Sequence, residues 1–343
     1  MTDLGYNSAA MEMNPFYKMR AGAEEFPLMV HIEITYVCNS KCPHCPYTES
    51  NSDIRRFNWD KGNRHISVGL FQKVADEVGS HGRFLRITGG GEPMMHPECV
   101  NLIEYAKKVG CSVGLITNGS LITPPVADAL LDVGLDVIEF SVDAADHKTY
   151  KKVRAGLDWN QLMRNMEYIL SRRNSENLKT RIITSVINQK SVMDKIEAIE
   201  AFWKQRVDHV VIRKFLSWGM VNRKLSGDDI PFLNVDTPCP YPYERCIITQ
   251  EGKLVLCGYD IEGANAVGNI SETTIKAIWN SVEYKKLREA MWLKHYDEIP
   301  FCRDCQDRIY RSWDHNYLKT LELSDSGREV NIHSHVCGKD SKD

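Results

Sequence analysis

The sequence predicts an α/β fold with a mostly parallel sheet, and two observations carry the prediction. Between Val30 and Arg213 six apolar runs of strand length alternate with stretches of helical period, and beyond Leu216 the alternation stops at a segment bearing Pro and Cys. Strands that each cross over through a helix lie parallel with the helices outside, in an open doubly wound sheet or in a complete or partial barrel. Either form puts functional groups at the C-terminal ends of the strands.

Val30, Ile32 and Ile34 alternate with His31 and Glu33, as in a strand. Leu70, Phe71, Val74 and Val78 share one helical face, and residues 84–88 form the second strand. Val100, Ile103, Tyr105, Ala106 and Val109 mark the next helix, and residues 113–117 the third strand. Thr123 before Pro124 and Pro125 opens a helix reaching about Val133, because Thr can accept an orphan N–H and Pro lacks the donor that the first turn would waste. Residues 137–142, 181–186 and 209–213 are the remaining strands, with helices over 162–170 and 192–203. From Gly227, Asp228, Asp229 and Pro231 the chain enters a second, smaller module containing Pro238, Pro240 and Pro242.

The 343 residues carry 43 Lys and Arg against 46 Asp and Glu, a net charge of −3 that excludes a dominant polyanion-binding role and hence a nucleic-acid partner. At 43% hydrophobic and 26% charged, the composition is that of an ordinary globular protein. Asp3, Asn7, Glu12 and Asn14 interrupt the N-terminal residues, which offer no secretory h-region, and no uncharged apolar run approaches the ~18 residues of a spanning helix. The expected location is the cytoplasm, with no membrane association. Eleven cysteines, an odd number and clustered, read as metal ligands or redox groups rather than as a disulfide framework.

Directly after the first strand, Cys38, Cys42 and Cys45 form a C-x₃-C-x₂-C triplet. Three thiolates in so short a loop can hold three irons of a cubane and leave the fourth open to a ligand's amine and carboxylate. Zinc would need a fourth closed ligand, which here would have to be His44 in the same loop. The second strand ends in Gly89-Gly90-Gly91-Glu92-Pro93, where the glycines let the backbone approach a ligand and Glu92 adds an acceptor. Thr117-Asn118-Gly119 and Ser141-Val142-Asp143 close the third and fourth strands, at positions that also suit a turn and a helix cap.

The triplet at this point of a six-strand βα series resembles the radical S-adenosylmethionine (radical SAM) superfamily. The resemblance implies a partial (β/α)6 TIM-like barrel over residues 29–216, after a lead-in at 1–28. It implies S-adenosylmethionine chelated to the open iron of a 4Fe-4S cluster held by Cys38, Cys42 and Cys45, and reductive cleavage to methionine and a hydrogen-abstracting 5′-deoxyadenosyl radical. Gly90, Gly91 and Glu92 match the element that meets the methionyl ammonium. Ser141, Asp143 and Arg154 match the positions that contact ribose and carboxylate, with Asn118 beside them; a guanidinium suits a carboxylate through two parallel hydrogen bonds. His44 stands where relatives often carry an aromatic residue near the adenine, and residues 184–186 are expected to touch the same ring.

In the second module Cys302 and Cys305 form a C-x₂-C pair, and Gly252 leads through an apolar run to Cys257, with residues 247–249 as its hairpin partner. With Cys239 they make four ligands, enough for a cluster or for structural zinc. The layout resembles the SPASM or twitch module, expected over residues 217–325 before a tail at 326–343, and implies a second, auxiliary 4Fe-4S cluster. Cys337 stands alone. Cys246 reads as a buried small residue or as a thiol that returns a hydrogen atom to a substrate radical. Cys99 and Cys111 read as core.

A radical at an alcohol or amine carbon is oxidised when an electron acceptor lies nearby, which makes dehydrogenation of a small polar, sugar- or cyclitol-like substrate the expected reaction; the alternatives are an epimerase, a decarboxylase or a peptide maturase. Arg213, Lys214 and Trp218 are placed to hold a hydroxylated ring or to form a solvated face. The expected partners are the small-molecule substrate and an external one-electron reductant such as flavodoxin or ferredoxin, with a precursor peptide as the lesser expectation. A non-catalytic iron-sulfur or zinc scaffold is the rival of another class.

Overall fold

The computed structural model describes residues 23–47, 64–215, 238–261, 263–303 and 305. Most of the lead-in, Trp218, Cys337 and the tail lie outside the described residues. Strands β1 (Met29–Glu33), β2 (Phe84–Thr88), β3 (Ser112–Thr117), β4 (Val137–Ser141), β5 (Arg181–Asn188) and β6 (His209–Lys214) alternate with helices α1 (Val68–Ser80), α2 (Cys99–Lys108), α3 (Pro124–Asp132), α4 (His147–Val153), α5 (Trp159–Ser175) and α6 (Ile196–Lys204). All six strands pair in parallel and in sequence order. The expected α/β architecture is the observed one.

The C-terminal module contributes α7 (Tyr241–Glu244), β7 (Arg245–Ile248), β8 (Lys253–Val255), β9 (Gly268–Asn269), α8 (Ile275–Trp279), α9 (Val282–Trp292) and α10 (Pro300–Arg303). The hairpin forms as read, with Ile247 opposite Val255 and Ile248 opposite Leu254. Periodicity did not show that β7 also pairs in parallel with β1, from Met29 opposite Arg245 to Ile32 opposite Ile248, so that the nine strands among the described residues make one sheet.

One local expectation, the cap at Thr123, needs correction, and one helix start was not read. Thr123 is the N-cap of α3 but makes no side-chain cap bond, so the start rests on Pro124 at the first helical position. The short α4 is set by Asp146, whose carboxylate accepts from Thr149 N at 2.8 Å. Among the described residues no helix is long and apolar enough to cross a membrane.

The two faces of the sheet differ in kind. Val30, Ile32, Leu85, Ile87, Val113, Leu115, Ile138 and Phe140 pack with Phe71, Leu102, Leu130, Leu162 and Trp203 of the helices in the main core. Side chains alternate along a strand, so the opposite, inner face carries Met29, His31 and Glu33 on β1, and Phe84, Arg86 and Thr88 on β2. Met29, Phe84, Val137, Ile183 and Val211 form a separate apolar plug at the start of the strands.

Above the plug the inner face is charged. Glu139 of β4 is fully buried and meets Arg86 of β2 through Oε2 at 2.7 Å and Arg213 of β6 through Oε1 at 2.6 Å. Gly114 of β3, in register with Arg86, has no side chain to separate Arg86 from Glu139. Burial works to raise the carboxyl pKa, but the guanidiniums of Arg213 and Arg86 outweigh it and hold Glu139 at about 2. Glu139→Ala strands both cations, and the expected loss is on the order of 3 kcal/mol, read from denaturant midpoints of the anaerobically purified protein; an unchanged midpoint would mean that the arginines find water.

Candidate cluster and cofactor site

The loop after β1 is tied to its neighbours at both ends. Gly91 N donates to Thr35 O at 3.0 Å and Glu92 N to Val37 O at 2.8 Å, so the glycine run lies along the chain that delivers Cys38. The approach is possible only without side chains: a Cβ on Gly91 would stand 2.2 Å from Val37 O, and one on Gly89 2.8 Å from Thr35 O. On the far side Lys41 N and Ser40 Oγ donate to Ala155 O at 2.7 and 3.2 Å.

Asn118 and Glu92 brace this loop. Asn118 Nδ2 donates to Asn39 Oδ1 at 2.8 Å, Asn39 Nδ2 donates to Ser120 Oγ at 2.8 Å, and Ser120 donates back to Asn118 Oδ1. Glu92 Oε1 accepts from Thr117 Oγ1 at 2.6 Å and from Met94 N, while Oε2 accepts from Asn118 N at 2.7 Å. The carboxylate is therefore engaged in joining β2 to β3. The roles of Asn39, Ser40 and Ser120 were missed; their one signal was polar residues inside the cysteine spacer and after the Asn-Gly turn.

The three thiols are buried or half-buried. Burial pushes Cys38 up to about 11 and Cys45 up to about 12, so both are protonated near neutrality until a metal displaces the proton. Ser40 Oγ lies 2.9 Å from Cys42 Sγ, and Arg154 Nη1 donates to the same sulfur at 3.8 Å.

Arg154 also lies 2.7 Å from Asp143 Oδ2, which is off the line of a good hydrogen bond and is left unsatisfied, as is Arg154 Nε. Asp143 Oδ1 accepts from Ile187 N at 2.6 Å, and the residue holds a left-handed φ of 53°, sparsely populated outside glycine. His44 Nε2 is 3.7 Å from Asp143, and Nδ1 is 3.4 Å from Gln189 Nε2. Burial lowers His44 to about 4 despite the nearby carboxylate, so the ring is neutral. Ser141 and Ser185 are paired in register on the inner face, while Thr184 points into the opposite layer with its hydroxyl unsatisfied.

In the second module Cys239 and Cys302 pack against the same small apolar cluster of Tyr243, Ala290, Met291 and Ile299. Cys305 N donates to Cys302 O at 3.2 Å, and Cys257 opens a turn closed by Asp260 N. Among the described residues no three His, Cys, Asp or Glu side chains stand close enough to grip one metal ion.

Two protein-family profiles match: the radical SAM superfamily over residues 32–189 and the SPASM iron-sulfur cluster-binding domain over residues 239–306. This is a radical SAM protein with a SPASM domain. Membership brings S-adenosylmethionine with a 4Fe-4S cluster to the first domain and auxiliary iron-sulfur chemistry to the second. The radical SAM protein is 24% identical to the AdoMet-dependent heme synthase of Methanosarcina barkeri, over 83% of this chain and 92% of that one. It is 22% identical to the PqqA peptide cyclase of Gluconobacter oxydans, over 84% of each. Its fold is similar to that of BtrN in complex with AdoMet and 2-DOIA, with a TM-score of 0.52 at 16% identity, covering 81% of this chain and 92% of that one.

The residues present fit these groups. The fit is in the donor chemistry: three soft thiols in one loop, a backbone cradle beside it that a Cβ would fill, and a guanidinium, Arg154, that reaches the Cys42 sulfur. Cys246 does not join them. It is fully buried in the main core, in register with Val30 and on the helix side of the sheet, so the expected hydrogen-donor role has no path to the inner face. Cys99 and Cys111 are core, as expected. Lys214 ends β6, and Arg213 is engaged by Glu139.

Glu33 was read only as the polar phase of a strand. It is 7% exposed on the inner face, and burial raises its carboxyl to about 7. A raised pKa contributes stability fully below about pH 4.5 that is lost as pH rises through 7. Glu33→Gln should therefore be more stable than the wild type at pH 8, by roughly 1–3 kcal/mol, with the gap closing toward pH 5; equal thermal midpoints at both pH values would show an ordinary carboxyl. Gly91→Ala should push the cradle off the cysteine loop and cut iron bound at the first site at least several-fold, while full iron occupancy would show that the 2.2 Å approach is dispensable.

Proposed function

We propose that this radical SAM enzyme oxidises a small polar, hydroxyl-bearing substrate held against the inner face of the sheet. The observation that supports this reading most is the polarity of that face: His31, Glu33, Arg86, Thr88, Glu139, Ser141, Ser185 and Arg213 line it above the apolar plug. Such a surface suits hydroxylated rings and acids and offers little to apolar side chains.

Cys38, Cys42 and Cys45 would hold the first cluster. Gly90 and Gly91 would offer backbone to S-adenosylmethionine, Ser141, Asp143 and Arg154 would meet its polar atoms, and the neutral His44 would lie by the adenine. Cys239, Cys257, Cys302 and Cys305 would hold the auxiliary cluster. When bound, the first group supplies hydrogen-atom abstraction and the second an electron acceptor, together a two-electron oxidation of an alcohol or amine carbon. Arg154 balances charge at Cys42, Asp143 fixes Arg154, and Glu92 and Asn118 keep the loop in place. A one-electron reductant such as flavodoxin or ferredoxin would serve as partner.

The similarity to PqqA peptide cyclase supports a second reading, a precursor peptide as substrate. With dithionite and S-adenosylmethionine, the anaerobically reconstituted enzyme is expected to move deuterium from a perdeuterated sugar or cyclitol into 5′-deoxyadenosine, measured by mass spectrometry; transfer from a deuterated peptide alone would replace this reading with the second. Cys38→Ala/Cys42→Ala/Cys45→Ala should lower bound iron from about eight to about four per chain, and Cys305→Ala should lower auxiliary iron while sparing part of deoxyadenosine formation. Four irons falling to none in the triple variant would put zinc or nothing in the second site.

A further inference from the structure

Glu33 is a buried carboxyl with no hydrogen bond or ion pair among the described residues, on the face of the sheet where substrate would lie. The guanidiniums on the two strands that flank β1 are committed elsewhere, Arg86 of β2 to Glu139 and Arg245 of β7 to Glu244, while His31 stands two residues back on the same face of β1. What stands beside Glu33 is aromatic. Tyr36 and Tyr47 are stacked with ring centroids 6.2 Å apart and close over Gly90, where a Cβ would meet both rings at 2.6–2.7 Å. Both phenols feel the charges of Glu33 and Asp260, and Tyr47 also that of Cys45. Tyr36 follows Glu33 by three residues, and Gly90 follows Thr88, the register partner of Glu33, by two, so the ring pair sits just beyond the carboxyl at the end of β1.

An unpartnered buried carboxylate is costly, and a bound cation that restores its partner removes that cost. Electron-rich tyrosine faces attract an organic cation and do little for a neutral hydroxyl or an anion. Thr88, in register with Glu33, adds a hydroxyl for a remaining N–H. The combination selects a compact cation with several donors.

We propose that Glu33, walled by Tyr36 and Tyr47, binds a protonated amine of the substrate, which makes the substrate an amino-bearing polar molecule. The inference rests on the small polar substrate proposed above and narrows its class. Burial leaves the carboxyl of Glu33 partly protonated near neutrality, and a bound ammonium would draw it fully into the ionised form. Glu33 acts here as a positioning group, and no proton or electron transfer is assigned to it.

The test is equilibrium dialysis of the anaerobically reconstituted holoenzyme, with S-adenosylmethionine bound and no reductant, against matched probes: glucose with glucosamine, and myo-inositol with its 1-amino-1-deoxy analogue. The wild type is expected to hold the amine of at least one pair about ten-fold or more tightly than its alcohol twin. Glu33→Gln should erase that gap with iron content and S-adenosylmethionine binding unchanged, and Glu33→Asp should restore part of it. Equal binding within both pairs, or a preference that survives in Glu33→Gln, overturns the assignment. Deuterium transfer from an uncharged polyol alongside equal binding overturns the amine and leaves the small-substrate reading standing. Transfer from peptide alone overturns both.

Discussion

The site depends on one close approach, the contact between the Gly89–Gly91 backbone and the segment that leads from β1 into Cys38. Two backbone hydrogen bonds fix it, and the missing side chains permit it. Through Glu92 the same segment reaches Thr117 and Asn118, and through Asn118 it reaches Asn39 inside the cysteine loop. The ends of three strands are thus joined into one frame at the level of the backbone, while the three thiols, which do not stand close enough together to grip one ion, must still turn when metal replaces their protons. Holding the loop's backbone in advance confines the entropic cost of loading to the side chains.

The second organising fact is the contrast between the faces of the sheet. The helix side is continuous hydrocarbon, the ordinary driving force of such a fold. The inner side is polar, with charge gathered around Glu139, and its stability rests on matched partners rather than on area removed from water. Placing Cys246 on the helix side and Glu33 on the inner side follows from strand parity alone, yet it separates a packing residue from a functional candidate.

Much of this was legible in the sequence. The alternation of strands and helices, the cysteine triplet, the glycine run and the hairpin before Cys257 are local patterns with few other readings. What escaped was nonlocal. Nothing in the residues around 245–248 says that they pair with residues 29–32, since parallel pairing leaves no turn signature. The capture of Glu92 by Thr117 and Asn118, and of Arg213 by Glu139, depends on strand ends meeting in space, as does the isolation of Glu33. Of the two readings of Cys246 the buried small residue is the one that fits, and the choice lay beyond the sequence because nearness to a cysteine-rich module carries no information about which face of a sheet a residue takes.

The parallel pairing of β1 with β7 has a bearing on how the chain is made. β1 is the first strand among the described residues and lies between β2 and β7, so one of its edges waits for a partner more than two hundred residues later. Until that partner leaves the ribosome, the strand just before the cysteine loop presents unpaired N–H and C=O groups, the kind of edge that recruits other chains. Pairing of such long sequence separation forms slowly. Completion of the sheet is therefore a late event in biogenesis, and a nascent chain halted short of residue 245 would carry its cysteine triplet beside an open edge.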